Sequence, residues 1–407
     1  MRTLIAHLDA DCFYVACERF SHPHLVGRPV AVLSSLDAFV IARSYELKPF
    51  GVKVGTPVWE CRKLAPQTVF LPADFALYGK MSRRIFEVVR DIGGLTEVYS
   101  IDEAFTDLTG LDRYYNMTPW ELGELIKRRI SEEVGLTVSV GIGETKTIAK
   151  LASDYKKPDG LFVADENTLH GFLADRAVDE ICGIGGRLNL VMERAGIRTA
   201  LDFYNTPLDV IKKWLGKHGM DLWFELHGHV MSPIHTEYVA PKSVSRTSNY
   251  ELKTTDPDVI FGALSYHALK VIGLLVTQNL HTSRVGHFLR KKDFTVDATW
   301  LSLAYPTNEY AAIIGALHKG FWRIFRRGVL YRGSGVMSDI DPRGATEPDL
   351  FGEYDRMERS AELIKSVATL NKKYGKGTLA YLCTYPYSSV RKPIPYDRMN
   401  VPIVKAG

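Results

Sequence analysis

The spacing of apolar residues in 1–165 predicts a series of strands and helices, and the order of these elements is compatible with few folds. The patterns predict, in chain order, a strand at 3–8, a helix at 74–92, a hairpin ending at Leu108, a helix from Thr118, a strand at 136–143 and a helix at 145–157. The helix from Thr118 begins with a capping box, since Thr118 and Glu121 flank Pro119. This order is that of a ferredoxin-like β-α-β-β-α-β unit with a long insertion after its first strand.

Two adjacent carboxylates, Asp102 and Glu103, lie in the predicted turn of the hairpin VYSIDEAFTDLTG (98–110). Taken alone, such a pair indicates an exposed turn in which water solvates both charges. In the predicted unit, however, the hairpin lies beside the first strand, which ends at Asp9. Hard divalent cations prefer oxygen ligands, and a two-metal site for phosphoryl chemistry needs a carboxylate that reaches both ions. The sequence therefore favours a metal site here, although spacing does not separate Asp9 from Asp11, because both point to one face.

Aromatic and basic residues in nearby motifs each have two interpretations. Phe13 and Tyr14 are either core residues or the wall of a nucleotide site. The cations of FVIARSYELKPFGVKVG (39–55) and SDYKKPDG (153–160) are either ordinary surface charges or ligands of a triphosphate. CGIGG (182–186), between two predicted helices, is either a plain turn or a loop whose backbone N–H groups bind phosphate.

Positive charge is concentrated in one segment. Residues 241–340 hold 13 Lys/Arg and 7 Asp/Glu, whereas the rest of the chain holds 38 and 40. In RKKDF (290–294) and RIFRRGVLYR (323–332) the basic residues alternate with aromatic ones. A solvated surface is the ordinary explanation of such runs, and a face that binds a nucleic-acid backbone is the more specific one.

Targeting and redox features favour a cytoplasmic location. The N-terminal stretch lacks the pattern of a signal peptide, and no window approaches the roughly 18 uninterrupted apolar residues of a membrane span. The five cysteines are scattered and none forms C-x-x-C, so neither a disulfide framework nor a zinc site is indicated.

The chain resembles the Y-family of translesion DNA polymerases in five segments that occur in the family's order: LDADCFYVACE, VIARSYELKPFGVKVGTP, YSIDEAFTDLTG, VGIGETKTIAKLASDYKKPDG and ICGIG. The resemblance covers nearly the whole chain, and YSIDEAF with the lysine-rich KTIAKLAS helix is a specific signature. VIAR, the tail TLNKKYGKGTLAY and the closing VPIVKAG are similar to the UmuC type, the catalytic subunit of DNA polymerase V. The resemblance implies template-directed addition of dNTPs to a primer 3′ end opposite damaged bases, with two Mg²⁺ ions, in SOS damage tolerance.

An α+β multidomain fold shaped like a right hand follows from the resemblance. The implied domains are a ferredoxin-like palm (1–15 and 72–165), inserted fingers (16–71), a helical thumb with a helix-hairpin-helix (166–236), a linker (237–242), a separate α/β little finger (243–340) and a C-terminal tail (341–407).

The resemblance also implies roles for individual residues. The metal ligands are Asp9, Asp102 and Glu103, which are also the catalytic residues, with the Ala10 carbonyl. The nucleotide contacts are Phe13, Tyr14, Tyr45, Lys48 and Lys157, and the DNA contacts are Gly183, Ile184, Gly185, Arg290, Lys291, Lys292, Arg326, Arg327 and Arg332. Tyr14 matches the steric gate against ribonucleotides. Lys48 stands where some branches of the family have Arg, which removes a bidentate contact.

Partners implied by the resemblance are primer–template DNA and dNTPs, with a sliding clamp, a UmuD′-like subunit and a RecA-like filament. The clamp would bind Leu350 and Phe351 in EPDLF (347–351). Glu347 replaces the Gln of the family's Gln-x-x-Leu-Phe peptide and cannot donate the amide hydrogen bond, so weaker clamp binding is expected.

Two other functions use parts of the same pattern. A nucleotidyl cyclase can use a similar palm and two metals, but it would need neither the basic segment nor the thumb loop and would act without DNA. A DNA-bound scaffold with a degenerate palm is the non-enzymatic alternative. The intact Asp9, Asp102 and Glu103 argue against it.

Overall fold

The computed structural model describes residues 3–34, 39–236, 241–341, 352–375 and 378–390. Its strands are β1 (Ile5–Ala10), β2 (Val30–Leu33), β3 (Val40–Arg43), β4 (Val69–Pro72), β5 (Thr96–Val98), β6 (Glu103–Asp107), β7 (Val138–Gly143), β8 (Leu161–Val163), β9 (Ser243–Thr254), β10 (Thr282–Lys291), β11 (Val296–Thr307) and β12 (Tyr331–Ile340). Its α-helices are α1 (Phe13–Ser21), α2 (Val58–Leu64), α3 (Phe75–Ile92), α4 (Leu111–Tyr115), α5 (Pro119–Val134), α6 (Lys146–Ser153), α7 (Leu169–Ala174), α8 (Gly186–Arg194), α9 (Ala200–Asn205), α10 (Leu208–Leu226), α11 (Pro257–Thr277), α12 (Tyr310–Ile324), α13 (Glu353–Tyr374) and α14 (Tyr385–Val390). Short 3₁₀ helices occupy Pro23–Leu25, Tyr45–Phe50, Val178–Glu180 and Leu382–Thr384. The described residues fall into two compact units, one up to residue 236 and one from residue 241.

A five-stranded sheet in the order β5-β6-β1-β7-β8 forms the base of the first unit. β1 lies in the middle and pairs antiparallel with both β6 and β7, as the predicted β-α-β-β-α-β unit requires. The side chains of β1 alternate between two environments. Ala6 and Leu8 enter a core shared with α3 and α5, whereas Ile5 packs with Phe105 and Ala149 on the side of α6. Odd-numbered residues of β1, including Asp9, therefore face α6.

Local sequence signals set the ends of the helices. Thr118 Oγ1 accepts a hydrogen bond from the Glu121 N–H (3.2 Å), and the Glu121 carboxylate accepts one from the Thr118 N–H (2.7 Å). These are the two bonds of the predicted capping box. α6 ends at Ser153, earlier than the predicted residue 157, because Pro158 disfavours helical backbone at the residue before it. Lys157 therefore follows the helix instead of belonging to it.

α6 lies directly against the backbone of β7 because Gly141 has no side chain. A Cβ atom at Gly141 would lie 2.1 Å from the Ser153 nitrogen and 2.2 Å from the Ala149 oxygen. The close approach brings the lysines of α6 to the sheet face on which Asp9 lies.

The insertion after β1 and the segment after β8 form smaller layers of the first unit. The insertion contains a three-stranded sheet in the order β3-β2-β4, with Leu33, Leu47 and Phe70 in its core. The segment after β8 is helical, as predicted, and α7 to α10 share a core around Phe203 and Leu226.

The second unit is a four-stranded antiparallel sheet in the order β11-β10-β12-β9. Helices α11 and α12 cover one face, where Leu289 and Val336 of the sheet pack with Leu264, Leu275 and Leu317 of the helices. This is the separate α/β layer structure predicted for the basic segment.

Two helices after residue 341 belong to the second unit. The Pro/Gly-rich and acidic stretch after residue 341 predicts a linker-like segment, and residues 356–371 predict a short helix. In the structure α13 is longer than this helix and packs, with α14, on α11. Ile364 and Tyr387 enter the same core as α11. By length and composition α11 is apolar enough to cross a membrane, but most of its apolar stretch is buried within the unit, which indicates a core helix. The predicted clamp-binding residues Leu350 and Phe351 lie outside the described residues.

The stability of the second unit should depend on the charge state of His287. This side chain is fully buried (0% exposed) under α12, and burial lowers its pKa from 6.5 to about 4. Between these values the unfolded chain binds the extra proton, so the free energy of unfolding falls as pH is lowered from about 6.5 towards 4. In urea titrations, we expect the free energy of unfolding of wild type to fall by on the order of 2 kcal/mol between pH 7 and pH 4.5. The fall should be smaller in His287→Leu. An identical pH dependence of unfolding in wild type and His287→Leu would contradict the assignment of this loss to His287.

Candidate active site

The pairing of β1 with β6 brings two of the predicted acids together. Asp9 and Glu103 are partners in the antiparallel register, and the Ala10 N–H donates to the Asp102 carbonyl (3.0 Å). The sequence places both Asp102 and Glu103 in the hairpin turn, but Glu103 is the first residue of β6. The turn closes one residue earlier because the Glu103 carbonyl accepts the Tyr99 N–H (3.0 Å). Glu103 therefore lies beside Asp9, across two paired strands.

Asp102 remains in the turn and has a different environment. Its carboxylate accepts a hydrogen bond from Ser100 Oγ (2.5 Å), and its backbone N–H donates to the same oxygen (3.2 Å). The turn thus holds the Asp102 carboxylate in place. Asp102 directly precedes Glu103, the strand partner of Asp9.

Two lysines neutralise the paired acids. Lys150 of α6 binds Glu103, and Lys157 Nζ lies 2.7 Å from Asp9 Oδ2 and 2.7 Å from Asp154 Oδ1. Burial raises the pKa of Asp9 to about 7 against the effect of Lys157, and the neighbouring Glu103 adds to the rise. Burial also opposes ionisation of Glu103, but Lys150 nevertheless holds the pKa of Glu103 below its ordinary value.

Carboxylate oxygens from Asp9, Asp102 and Glu103 are the donor type that hard divalent cations prefer. Within the parts of the chain that the structure describes, however, no three His, Cys, Asp or Glu side chains are grouped as metal ligands. The Asp9 and Glu103 carboxylates lie within hydrogen-bonding reach of each other and are each paired with a lysine, whereas the Asp102 carboxylate is bonded to Ser100. A cation at this place would replace Lys150 and Lys157 as the charge partner of Glu103 and Asp9.

Asp11, which spacing did not separate from Asp9, has no free oxygen to offer. Its side chain is buried (5% exposed) and accepts hydrogen bonds from Ser139 Oγ (2.8 Å), the Asp159 N–H (2.8 Å) and Tyr45 OH (3.4 Å). The structure therefore separates the two aspartates by their partners.

Phe13 and Tyr14 begin α1 directly after these acids. Phe13 is buried, whereas the Tyr14 ring stacks on Tyr78 (centroids 4.4 Å apart, planes at 13°) and meets the edge of Phe75. The pKa of Tyr14 is raised by burial first and then by the charge of Asp102. Tyr14 is thus held in a fixed orientation by two aromatic neighbours, within reach of the charge of Asp102.

Cations from separate segments converge beside the acids. Lys48 Nζ lies 4.0 Å above the Tyr45 ring, and the pKa of Lys48 is lowered by burial and by the charges of Arg43 and Lys157. Arg43 lies in β3, and its buried Nη1 has no hydrogen-bond partner among the described residues. A buried guanidinium donor next to two lysines is a ready ligand for an anion.

The CGIGG loop lies between the Val178–Glu180 turn and α8. Gly183 has a φ of +105°, Ile184 is buried, and Gly185 is the N-cap of α8. Cys182 Sγ lies 3.8 Å from Tyr99 OH, which places the loop beside the hairpin that carries Asp102.

In the second unit, the predicted DNA-binding residues gather at one end of the sheet. Arg290 pairs with Gly333 across β10 and β12, and the Lys292 N–H donates to the Leu330 carbonyl (2.9 Å). The Arg332 guanidinium lies 3.8 Å above the Phe294 ring, and Lys291 is paired with Asp297 (3.0 Å). Arg326 and Arg327 lie in the segment between α12 and β12.

Lys150 was given no role by the sequence. It binds Glu103, as Lys146 binds Glu97, and the spacing of the two lysines on α6 was a usable signal. Arg43 is one of the cations of 39–55 for which the sequence left open a role in binding a triphosphate. Its buried Nη1, which has no hydrogen-bond partner among the described residues, singles it out within that group.

Comparison with known proteins identifies the family. Residues 8–154 match the model of the impB/mucB/samB family, and residues 241–350 match the model of that family's C-terminal domain. The chain is 30% identical to the protein UmuC of Salmonella typhimurium (93% of this chain, 93% of that protein) and 31% identical to DNA polymerase IV of Xanthomonas euvesicatoria (87% and 99%). It resembles the solved structure of a Y-family DNA polymerase chimera, Dbh-Dpo4(243-245)-Dbh, with a TM-score of 0.70, 27% identity, and coverage of 83% of this chain and 98% of that one.

The chain belongs to the impB/mucB/samB family, the Y-family of translesion DNA polymerases, and is a DNA-directed DNA polymerase. The fold class predicted from the sequence is confirmed. The UmuC type is not singled out, because UmuC and DNA polymerase IV relatives match with about the same identity.

The backbone of the CGIGG loop should not tolerate a side chain at Gly183. A Cβ there would lie 2.8 Å from His218 Nε2, and the φ of +105° disfavours any L-residue. We expect Gly183→Ala to lower the free energy of unfolding of the first unit by about 1–2 kcal/mol in urea titrations. Gly186→Ala is the matched control, because a Cβ at this position in α8 meets nothing within 4 Å. A loss in the control as large as that in Gly183→Ala would contradict the strain argument.

Proposed function

We propose that this polymerase extends primer ends by two-metal nucleotidyl transfer, using the site around Asp9 and Glu103. The observation that carries the proposal is the cross-strand pair of these acids beside a group of cations from separate segments. Acids and cations in one pocket suit a reaction in which metal ions and a triphosphate bind together.

Asp9, Asp102 and Glu103, with the Ala10 carbonyl, would hold two Mg²⁺ ions, which when bound would favour the primer hydroxylate and neutralise the triphosphate. The chain's own contribution is to keep these ligands at one edge of the sheet and largely shielded from water. Lys150 and Lys157 balance the buried negative charge in the absence of nucleotide.

The incoming dNTP would lie between the aromatic wall and the cations. Tyr14, held by its stack on Tyr78, would lie under the sugar and leave no space for a 2′-hydroxyl, with Phe13 packed beside it. Tyr45, Lys48 and Lys157 would contact the triphosphate. Arg43 would add the planar, bidentate guanidinium that Lys48 cannot supply.

Primer–template DNA would be held through its backbone. The loop of Gly183, Ile184 and Gly185 precedes α8. The Ile184 N–H donates to the Ile181 carbonyl (2.9 Å), so the N–H groups of Gly183 and Gly185 would be the ones offered to a phosphate. The basic end of the second unit, with Arg290, Lys291, Lys292, Arg326, Arg327 and Arg332, would bind the duplex without reading its sequence.

The finer biological assignment is also a proposal. We assign the chain to the UmuC type, acting in the cytoplasm in the SOS response to DNA damage. The expected partners are a UmuD′-like subunit, a RecA-like filament and a sliding clamp that binds Leu350 and Phe351. The support is the sequence resemblance and the UmuC relative.

Removing one acid should stop chemistry without stopping DNA binding. We expect Glu103→Gln and Asp102→Ala to reduce primer extension at least about a hundredfold, because charge stabilisation at the reacting phosphate is lost. Asp107→Asn is the matched control, since Asp107 is at the other end of β6, opposite Ile5. Primer–template affinity, measured by fluorescence anisotropy, should change less than about twofold in all three variants. Primer extension by Glu103→Gln at the wild-type rate would refute the assignment of the active site to these acids.

Formation of product from nucleoside triphosphates without DNA would indicate a nucleotidyl cyclase instead of a polymerase.

The Tyr14 ring should exclude ribonucleotides. We expect Tyr14→Ala to raise the kcat/KM for rNTP relative to dNTP by at least about tenfold, because the ring is removed from beneath the sugar. Tyr14→Phe keeps the ring and its stack on Tyr78, and should keep the wild-type preference. Single-nucleotide incorporation assays measure the rNTP/dNTP preference of both variants. An unchanged preference in Tyr14→Ala would show that Tyr14 does not exclude ribonucleotides.

A further inference from the structure

Asp11 connects three parts of the first unit that are far apart in sequence. Its three hydrogen-bond donors are Tyr45, Ser139 and Asp159, which lie 34, 128 and 148 residues away. Tyr45 belongs to the insertion after β1, Ser139 to β7, and Asp159 to the turn after Lys157.

We propose that Asp11 is a positioning residue that holds the triphosphate-binding groups in place for the incoming nucleotide. This inference rests on the proposed function, since it assigns Asp11 to the binding of the same substrate. Asp11 acts through Tyr45 and the Lys157 turn and touches neither substrate nor metal itself.

The hydrogen bonds use both carboxylate oxygens. Oδ1 accepts from the Ser139 and Tyr45 hydroxyls, and Oδ2 accepts from the Asp159 N–H. Ser139 Oγ in turn accepts the Gly160 N–H (3.2 Å), so the turn after Lys157 is held at two consecutive residues. A side chain held at both oxygens from three segments is fixed in orientation.

Two of these three bonds, those from Tyr45 and Asp159, end at or next to a predicted nucleotide contact. Tyr45 is itself one of these contacts, and Lys48 lies 4.0 Å above the Tyr45 ring. Asp159 is two residues from Lys157, whose Nζ lies 2.7 Å from Asp9 Oδ2. Asp11 therefore fixes the distance between Lys48 of the insertion and Lys157, which lies beside the turn at Asp159.

The role predicts a defect in nucleotide binding and not in chemistry. In Asp11→Asn the side chain keeps its shape but loses its charge. Its NH₂ group would either oppose the Asp159 N–H or donate to the Ser139 and Tyr45 hydroxyls, so the charged acceptor that the three donors share is lost. A hydrogen bond to a charged acceptor is worth enough to change binding about tenfold. We expect KM for dNTP to rise about tenfold and kcat to change less than about threefold in single-nucleotide extension.

Matched variants separate positioning from general stability. Asp202→Asn is the control: Asp202 also accepts two backbone N–H groups, from Arg198 (3.0 Å) and Thr199 (2.9 Å), but lies in the helical segment after β8. We expect it to leave KM at the wild-type value. Ser139→Ala removes one donor without changing charge and should raise KM less than Asp11→Asn does. It also replaces Asp11→Asn as the test if that variant fails to fold.

Amide hydrogen exchange gives a readout that does not need catalysis. In the protein without DNA or nucleotide, Asp11→Asn and Ser139→Ala should speed exchange at Asp159 and Gly160, and Asp202→Asn should not. Wild-type KM together with unchanged exchange at Asp159 in Asp11→Asn would overturn the inference, as would a fall in kcat with KM unchanged. If the wild-type chain extends no primer, the proposed function fails, and faster exchange in Asp11→Asn would then support only the connection itself.

Discussion

The antiparallel register between β1 and β6 is the constraint on which the candidate site depends. Side chains alternate along a strand, so Asp9 and Glu103 share a face only while they are directly opposed. A slip of one residue would send one of them to the opposite face, into the core shared with α3 and α5. The register is supported by packing on both faces, with Leu8 on one side and Ile5 against Phe105 on the other. The chemistry of the acids is thus maintained by apolar contacts of the same two strands.

Charge balance is the second requirement at this edge of the sheet. Paired carboxylates that are largely buried would be unstable together without a cation near each of them. α6 and the residues after it provide those cations, and Gly141 allows the helix to come close enough to do so. In the proposed function, a nucleotide would bring its own negative charge beside the same lysines. The interactions that hold the acids in place would then be the ones that substrate and metal exchange for new ones.

Sequence reasoning was successful where the determining interactions are local or follow from topology. The capping box at Thr118 and the neighbourhood of Asp9 and the hairpin are examples. It was less accurate where contacts between residues distant in the sequence determine the ends of an element or the partners of a side chain. Glu103 belongs to β6 because its backbone pairs with β1, which no local pattern shows. The end of α6 was predicted too late for a different, local reason, because Pro158 excludes Lys157 from the helix. The partners of Asp11 lie up to 148 residues away, so spacing alone could not distinguish it from Asp9.

The two terminal helices of the second unit limit how freely this unit can be exchanged within the family. The family's C-terminal model ends at residue 350, before α13, yet α13 and α14 cover the apolar helix α11. A Cβ at Gly262 of α11 would lie 3.0 Å from the Tyr387 nitrogen, so the fit between the helices is close. A hybrid polymerase that takes this unit without the last two helices would expose a broad apolar surface to water and would tend to self-associate.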